Sequence, residues 1–563
     1  MSSTGVRASL RRRSTTSFSA FLGYALVAFL YLGLRPLIEP GRQYVGFGVD
    51  PQIFIWSFDW WPHAILHGQN PFYTHEIWAP SGVNLTWTTS VPGLALVFAP
   101  LTLLLGPEVS YDIAATLMPA FAAWTAFLLC RHVTRSFWPS LVGGYLFGFS
   151  SYELSQSEGH LHMTSVFLVP LVALVVLRYL EGGLDRRGLA LRLGSLFGFE
   201  VLLSTEVALT MSLALAVSLL LAAALVPERR PRIVSLVTPL AAAAGFAAIL
   251  ISPFLYYALT GYVASPLSPP RAYIADVLNT FIPTDLSLAS FGATGPIVRR
   301  FPGNGSEWGS YLGLPVLVIL GLYGWRRWRT PAGRFLLAAI GLATVLSLGD
   351  ELTVGGHRLV WLPWRLVVDA PLIDNVLPVR LVLYAWLAAA VVVSVWATAR
   401  TGWTRYVLPA LAVIAILPNP ASGAWSTTFH VPDFFTNTAY RGCLARGETV
   451  LPLPVSRSGD SMLWQVADAY RFQMAGGNIA PNAPASFLTS PEVNIVAAGY
   501  PVPPNLANEL RTYIDTKGVT TVILDEGAVA NFYSALALIG KPTAIGGVIL
   551  VRADGSAPAC IAP

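Results

Sequence analysis

The chain has 563 residues and a formal net charge of +5, with 54% hydrophobic and only 12% charged residues. A soluble domain carries about 25% charged residues, so most of this chain has no water-facing surface to furnish. That balance excludes a soluble globular enzyme. The surplus positive charge does not point to nucleic acid, because the basic residues sit in short clusters between apolar runs, as cytoplasmic loops require. Lys517 and Lys541 are the only lysines, an arginine bias associated with GC-rich bacterial genomes.

Arg7, Arg11, Arg12 and Arg13 precede an apolar run from Phe18 to Leu34. The run exceeds the roughly 7–15 residues of a cleavable signal and no small-residue cleavage site follows, so it reads as an uncleaved first span with residues 1–16 in the cytoplasm. Further anchors are Arg131 with Arg135, Arg186 with Arg187, Arg229 to Arg232, Arg326 to Arg329 and Arg400 to Arg405. Between successive anchors the chain must cross the membrane an even number of times. Runs near 137–151, 164–181, 189–206, 207–226, 233–258, 310–325, 333–348, 380–398 and 406–418 satisfy this count and, with the first two spans, give about eleven. Val91 to Gly106 is too short for a crossing and suits an interfacial or re-entrant helix on the outer face. The first outer loop then runs over 36–110 within a bundle covering 17–425.

Residues 426–563 change character. TVLPLPV, VTTVIL and GGVILV read as strands, and Asn505 to Thr516 and Ala528 to Ile539 as helices, giving a small α/β domain that the topology places outside. Cys443 and Cys560 are its only cysteines and would pair in an oxidising compartment, the alternative being two free thiols. The stretch GDSMLWQVADAYRFQMAGG is rich in large apolar side chains, as expected of a segment packed on the bundle or of ordinary domain core.

The first outer loop is dense in aromatics and carries Asp50, Asp59, His63, His67, His75 and Glu76. Asp50-Pro51 reads as a helix start, with Asp50 as N-cap and Pro51 at the first helical position. The helix would run to about His67, with Ile53, Trp56, Trp60 and Ile65 making it an interfacial aromatic helix. Asp50 and Asp59 stand nine positions apart and so face nearly opposite sides, which rules out a carboxylate dyad.

A first span, then a long outer loop that opens with an acidic residue near the membrane, then a juxtamembrane apolar helix, resembles the GT-C superfamily of membrane glycosyltransferases. The resemblance implies a polytopic α-helical fold with a C-terminal domain, and transfer of a sugar from a polyprenyl-phosphate donor to a glycan or lipid acceptor outside the cytoplasm. It maps the catalytic acid of that superfamily onto Asp50. The WWD motif of the oligosaccharyltransferase branch is missing, and so is the Asp-Glu pair of the protein mannosyltransferase branch. In this chemistry the acceptor hydroxyl loses its proton as it attacks the anomeric carbon, and a carboxylate within hydrogen-bond reach takes it.

Other outer-face residues are candidates for donor or acceptor binding. Glu158, His160 and His162 lie in SQSEGHLH between spans 3 and 4, where ionisable groups at a membrane surface need partners. The two histidines would share a face only if extended, and would serve in hydrogen bonding to acceptor or phosphate, as metal ligands together with Asp50, or as a plain surface loop. The metal would be Mg or Mn, although no cofactor is required by the sequence. Glu206 sits at the outer turn between spans 5 and 6, either as a site carboxylate or in a structural hairpin. Arg271 in SPPRAY and Arg380 in LPVRLVLY stand on the side that the positive-inside bias disfavours, so each would hold a lipid phosphate or snorkel to headgroups. No Walker A loop, GxGxxG or zinc-spaced cysteine set occurs, which argues against an ATP-driven pump or a nucleotide-sugar enzyme. The expected location is the bacterial inner membrane. A lipid or glycolipid flippase and a non-catalytic envelope-assembly protein are the competing functions; the first predicts mid-span charges, the second a glycan-binding C-terminal domain.

Overall fold

The computed structural model describes residues 17–261, 269–454, 459–478, 505–527, 536–558 and 560. Two compact units divide the chain: Met1–Ile38, Asp112–Ser252 and Ala264–Ser426 form one, and Glu39–Tyr111, Pro253–Val263 and Thr427–Pro563 the other.

The first unit is helical. A helix stands at each position where the sequence calls for a span, and five (Ser17–Ile38, Pro107–Thr134, Leu161–Leu180, Thr205–Leu225 and Pro378–Ala399) are long and apolar enough to cross a membrane. Pro227–Val234 and Val237–Leu250 make a sixth if taken together, bent by 46° at their junction. Pro331–Ser347 and Thr404–Ala415 are apolar but shorter. Breaks between helices carry their own caps. Ser204, in extended backbone, ends Arg186–Leu203 and accepts a hydrogen bond from the Val207 amide at 3.2 Å, opening the next helix without a loop.

Small residues set the closest packing in this unit. A Cβ on Gly143 would lie 2.2 Å from Ser394 Oγ, and one on Gly144 would lie 2.5 Å from the Ala123 carbonyl oxygen. In a membrane, where burying apolar side chains against each other rather than lipid gains little, such close backbone contact is what holds helices together. Cys130, beside Gly143, is a buried free thiol, as its apolar setting suggests.

The second unit joins the first loop to the C-terminal residues. Its sheet has five strands in the order Thr543–Ile545, Val548–Arg552, Thr521–Asp525, Glu448–Leu453, Phe472–Met474, and Glu448–Leu453 runs parallel to both neighbours. All three strands expected from the sequence are present, with Leu506–Lys517 as a flanking helix. Most of the expected helix Ala528 to Ile539 lies outside the described residues, as do Arg7, Arg11, Arg12 and Arg13. Cys443 and Cys560 form a disulfide across 117 residues, so the pairing expected from composition is realised.

The helix expected at Asp50 runs over Asp50–Leu66, but it is not interfacial. Trp56, Trp60 and Trp61 are at most 2% exposed, and Phe54, Ile55 and Phe58 are equally buried. Large aromatic side chains on several sides of a helix need cover, and here the C-terminal segment supplies part of it. The Trp56 indole donates to Gln465 Oε1 at 2.8 Å, and the ring of Tyr470 packs edge-on against Trp56 and Trp60. The Trp- and Met-rich stretch thus packs on the first-loop helix within its own unit. The short apolar helix Pro92–Leu105 lies against the same helix, with Phe98 beside Phe58.

Candidate functional site

The site candidates fall into one cluster in each unit. In the helical unit, Arg380 sits in the turn Pro378–Leu381 that opens a candidate span, and it is ion-paired to Glu206 and Glu307. Its Nε lies 3.1 Å from both Glu307 oxygens. Glu206 is in the first turn of Thr205–Leu225, and Glu307 ends the turn Gly305–Glu307. Gln156 extends the network, donating to Glu307 Oε2 at 3.1 Å and to the Ser306 carbonyl at 2.8 Å. His160 Nδ1 is 2.8 Å from Gln156 Oε1 and 3.7 Å from Glu307. The rings of His160 and His162 stand 5.9 Å apart, brought together across the start of a short helix, Leu161–Thr164, and not by extended backbone.

Glu158 belongs to the same surroundings. Burial, with Asp285 and Glu307 adding to it, pushes its carboxyl up to about 8. A glutamic acid held protonated near neutral pH can donate a hydrogen bond or a proton. The structure thus brings Glu158, His160, His162, Glu206 and Arg380 into one neighbourhood. Glu307 and Gln156 were missed, since nothing in GNGSEW or YELSQS marks a partner more than 70 residues away.

Arg380, expected to hold a lipid phosphate or to snorkel to headgroups, is here engaged by two carboxylates of the protein itself. Arg271 is likewise engaged, its Nε 3.1 Å from Asp350 and its Nη2 2.7 Å from Asp369, in a largely exposed network.

In the second unit, Asp50 is exposed and lies in the first helical turn, with Val49 as the capping residue. It is one position further into the helix than the N-cap role would place it. Tyr44, Gln52 and Asp460 form a hydrogen-bonded group at the start of this helix. Gln52 Nε2 donates to Asp460 Oδ1 at 2.6 Å and lies 3.2 Å from the Tyr44 hydroxyl. The other Asp460 oxygen accepts the His430 amide at 2.8 Å. Burial raises the pKa of Asp460, and burial together with Asp460 and Asp50 raises that of Tyr44. Asn478 donates to the Val49 carbonyl at 3.1 Å, fixing the start of the helix. Asp460 escaped the sequence reading because it is separated from Asp50 by the whole bundle. Asp59 is turned elsewhere in this unit and raised by burial to about 6, with the Tyr470 hydroxyl as partner.

No group of three or more His, Cys, Asp or Glu side chains that could hold a metal ion occurs among the described residues.

A family model, Domain of unknown function (DUF6311), matches residues 20–417. The chain belongs to that family. Among curated proteins none matches the sequence. Among solved structures, the arabinofuranosyltransferase AftD from Mycobacteria matches over 95% of this chain at 14% identity and a TM-score of 0.55. This chain spans 40% of the length of that one. The oligosaccharyltransferase AglB from Archaeoglobus fulgidus, in complex with an inhibitory peptide and a dolichol-phosphate, matches over 97% of this chain and 75% of its own, at 12% identity and a TM-score of 0.48. ArnT from Cupriavidus metallidurans, bound to undecaprenyl phosphate, matches over 96% of this chain and 98% of its own, at 14% identity and 0.46. The resemblance to GT-C glycosyltransferases is thus one of fold, carried by AftD. With its long apolar helices, that fold makes the chain a multi-pass membrane protein.

Proposed function

We propose that the protein is a glycosyltransferase of the bacterial inner membrane, moving a sugar from a polyprenyl-phosphate donor to a glycan or lipid acceptor on the outer face, with Asp50 as general base. On this reading the bundle crosses eleven times with its N-terminus inside, and the second unit is periplasmic. The observation that carries the proposal is the placing of Asp50. It is an exposed carboxylate in the first turn of a mostly buried helix, where it can meet an acceptor hydroxyl, and it lies close enough to Tyr44 to raise that phenol's pKa. The fold shared with an arabinofuranosyltransferase supports the reaction class. Glu158, His160 and His162 are the outer-face groups that would contact donor or acceptor.

The test compares wild type with Asp50→Asn in transfer from a panel of polyprenyl-phosphate sugars. Removing a general base lowers the rate by about 10²–10⁴-fold. Equal turnover in a folded variant moves the base to Glu158.

A flippase or transporter is the second reading, and Glu200 favours it. Glu200 is fully buried in Arg186–Leu203 with neither carboxylate oxygen hydrogen-bonded, the state expected of a group that carries a proton across a membrane. Lipid movement in vesicles that is abolished by Glu200→Gln, with no sugar transfer from any donor, would favour it over the transferase.

A further inference from the structure

In the second unit a cavity of about 170 Å³ is lined by Arg441, Arg446, Asp468, Ala469 and Arg471. We infer that this cavity is a binding site for a phosphate ester, separate from the cluster around Asp50.

The walls come from three segments that the fold holds in place. Arg441 lies in the turn Thr438–Cys443, whose last residue is fixed by the disulfide to Cys560. Arg446 precedes the strand Glu448–Leu453, and the Gly447 amide donates to the Arg471 carbonyl at 2.7 Å, tying the two stretches together. Arg471 is further positioned by its guanidinium, which reaches the Leu444 carbonyl at 3.4 Å.

The backbone between Asp468 and Arg471 is the telling feature. Ala469 and Tyr470 have φ of 51° and 53°, left-handed conformations that cost a residue with a Cβ about 1 kcal/mol or more each. The two in succession turn Tyr470 into the core against Trp56 and Trp60. Asp468, Ala469 and Arg471 are thereby left to line the cavity.

Charge then selects the ligand. Three arginines and one aspartate leave a net +2, and among the described residues none of the three guanidiniums is in an ion pair. Asp468 offsets only one of the three positive charges, and an anion relieves the repulsion that remains. A guanidinium fork matches phosphate oxygens in pairs, and a dianion balances the charge where a single carboxylate would not. Burial raises the Asp468 carboxyl to about 6 against the pull of Arg471 and Arg441. Its own negative charge opposes the ligand, so it limits affinity rather than providing it.

The experiment measures binding of pyrophosphate to the full-length protein in phosphatidylcholine nanodiscs by calorimetry. Binding does not depend on turnover, so this inference stands or falls independently of the transferase reading. Arg441 and Arg446 are exposed, and replacing both with Ala leaves the sheet untouched. The double variant is expected to bind at least about tenfold more weakly, while Asp468→Asn binds a few-fold more tightly. Should the double variant unfold, Arg446→Gln alone gives the same direction. Equal binding by wild type and a folded Arg variant, or no binding by wild type at about 10 mM, overturns the inference. Competition by phosphatidic acid in the nanodisc would assign the phosphate to a lipid headgroup, and competition by glucose 1-phosphate to a sugar phosphate. Competition by neither overturns the site.

Discussion

Arg380 Nε lies 3.1 Å from both carboxylate oxygens of Glu307, and only 2% of the Glu307 side chain reaches solvent. With Glu206 on its other side, Arg380 ties the start of a span to two segments 73 and 174 residues away in sequence. The charge of Arg380 is thereby engaged within the protein. The network fixes the backbone that presents His160, through Gln156, and leaves one negative charge uncompensated near Glu158.

Arg380→Ala should therefore destabilise the helical unit strongly. Removing one partner of a buried pair leaves a charge without compensation and costs about 3–5 kcal/mol. Here two carboxylates are orphaned, so the loss should sit at the upper end, and adding Glu307→Gln should recover part of it. Thermal unfolding in detergent measures both. An unchanged Tm in Arg380→Ala would show that the network is solvated and not structural.

The raised Glu158 carboxyl gives a pH dependence with a definite sign. Its folded value of about 8 lies above the ordinary value of 4.5, so the native state holds a proton that the unfolded chain has released. Below about 4.5 both states are protonated and the group is neutral in its effect. As pH rises towards 8 the native state must either keep a proton or bury a charge, and stability falls. Glu158→Gln should remove that decline, gaining on the order of a few kcal/mol above pH 8 and little near pH 4. Melting curves of both proteins between these limits test the sign. A variant that gains more at low pH than at high would contradict it.

What was legible in the sequence is what local patterns carry. The apolar runs placed the helices, the alternating runs TVLPLPV, VTTVIL and GGVILV placed three strands of the sheet, and two cysteines in one domain announced their disulfide. The burial of Asp50–Leu66 was not legible, because its all-round apolar surface fits a lipid interface as well as a core until its cover is known. That cover comes from Gln465 and Tyr470, some 400 residues along the chain. Asp460 and Glu307 were hidden for the same reason. A carboxylate gains its role from a partner that sequence distance conceals, whereas Glu158 and Glu206 stood out because they lie in short turns between apolar runs.

Gln465 is the hinge of the contact between the first-loop helix and the C-terminal residues. It is fully buried, its Oε1 accepts the Trp56 indole, and its Nε2 donates to the Glu76 carbonyl at 2.6 Å and the Phe472 carbonyl at 3.0 Å. Gln465→Leu keeps the volume but leaves the indole N–H without its acceptor and takes a donor from the Phe472 carbonyl, while the Glu76 carbonyl keeps the Met474 amide. Each buried orphan costs about 1–3 kcal/mol, so a loss of several kcal/mol is expected in the second unit. Trp56→Phe removes the indole donor together with its bond, and should cost less. Chemical denaturation followed by tryptophan fluorescence orders the two, and a milder effect for Gln465→Leu would show that water replaces the lost bonds.

The disulfide between Cys443 and Cys560, 117 residues apart, closes a loop that includes all five strands of the sheet. Cross-linking so long a loop removes much of the freedom of the unfolded chain, and the loss of such a bond typically costs about 2–5 kcal/mol. Cys443→Ser with Cys560→Ser should lower the unfolding temperature of the second unit and leave the helical unit unchanged, because neither cysteine belongs to it. The same pair forms one support of the arginine-lined cavity through Cys443, so pyrophosphate binding should weaken alongside stability. Two transitions in calorimetry, of which only one shifts on reduction, would match this assignment. A single transition that moves as a whole would show instead that the two units unfold together.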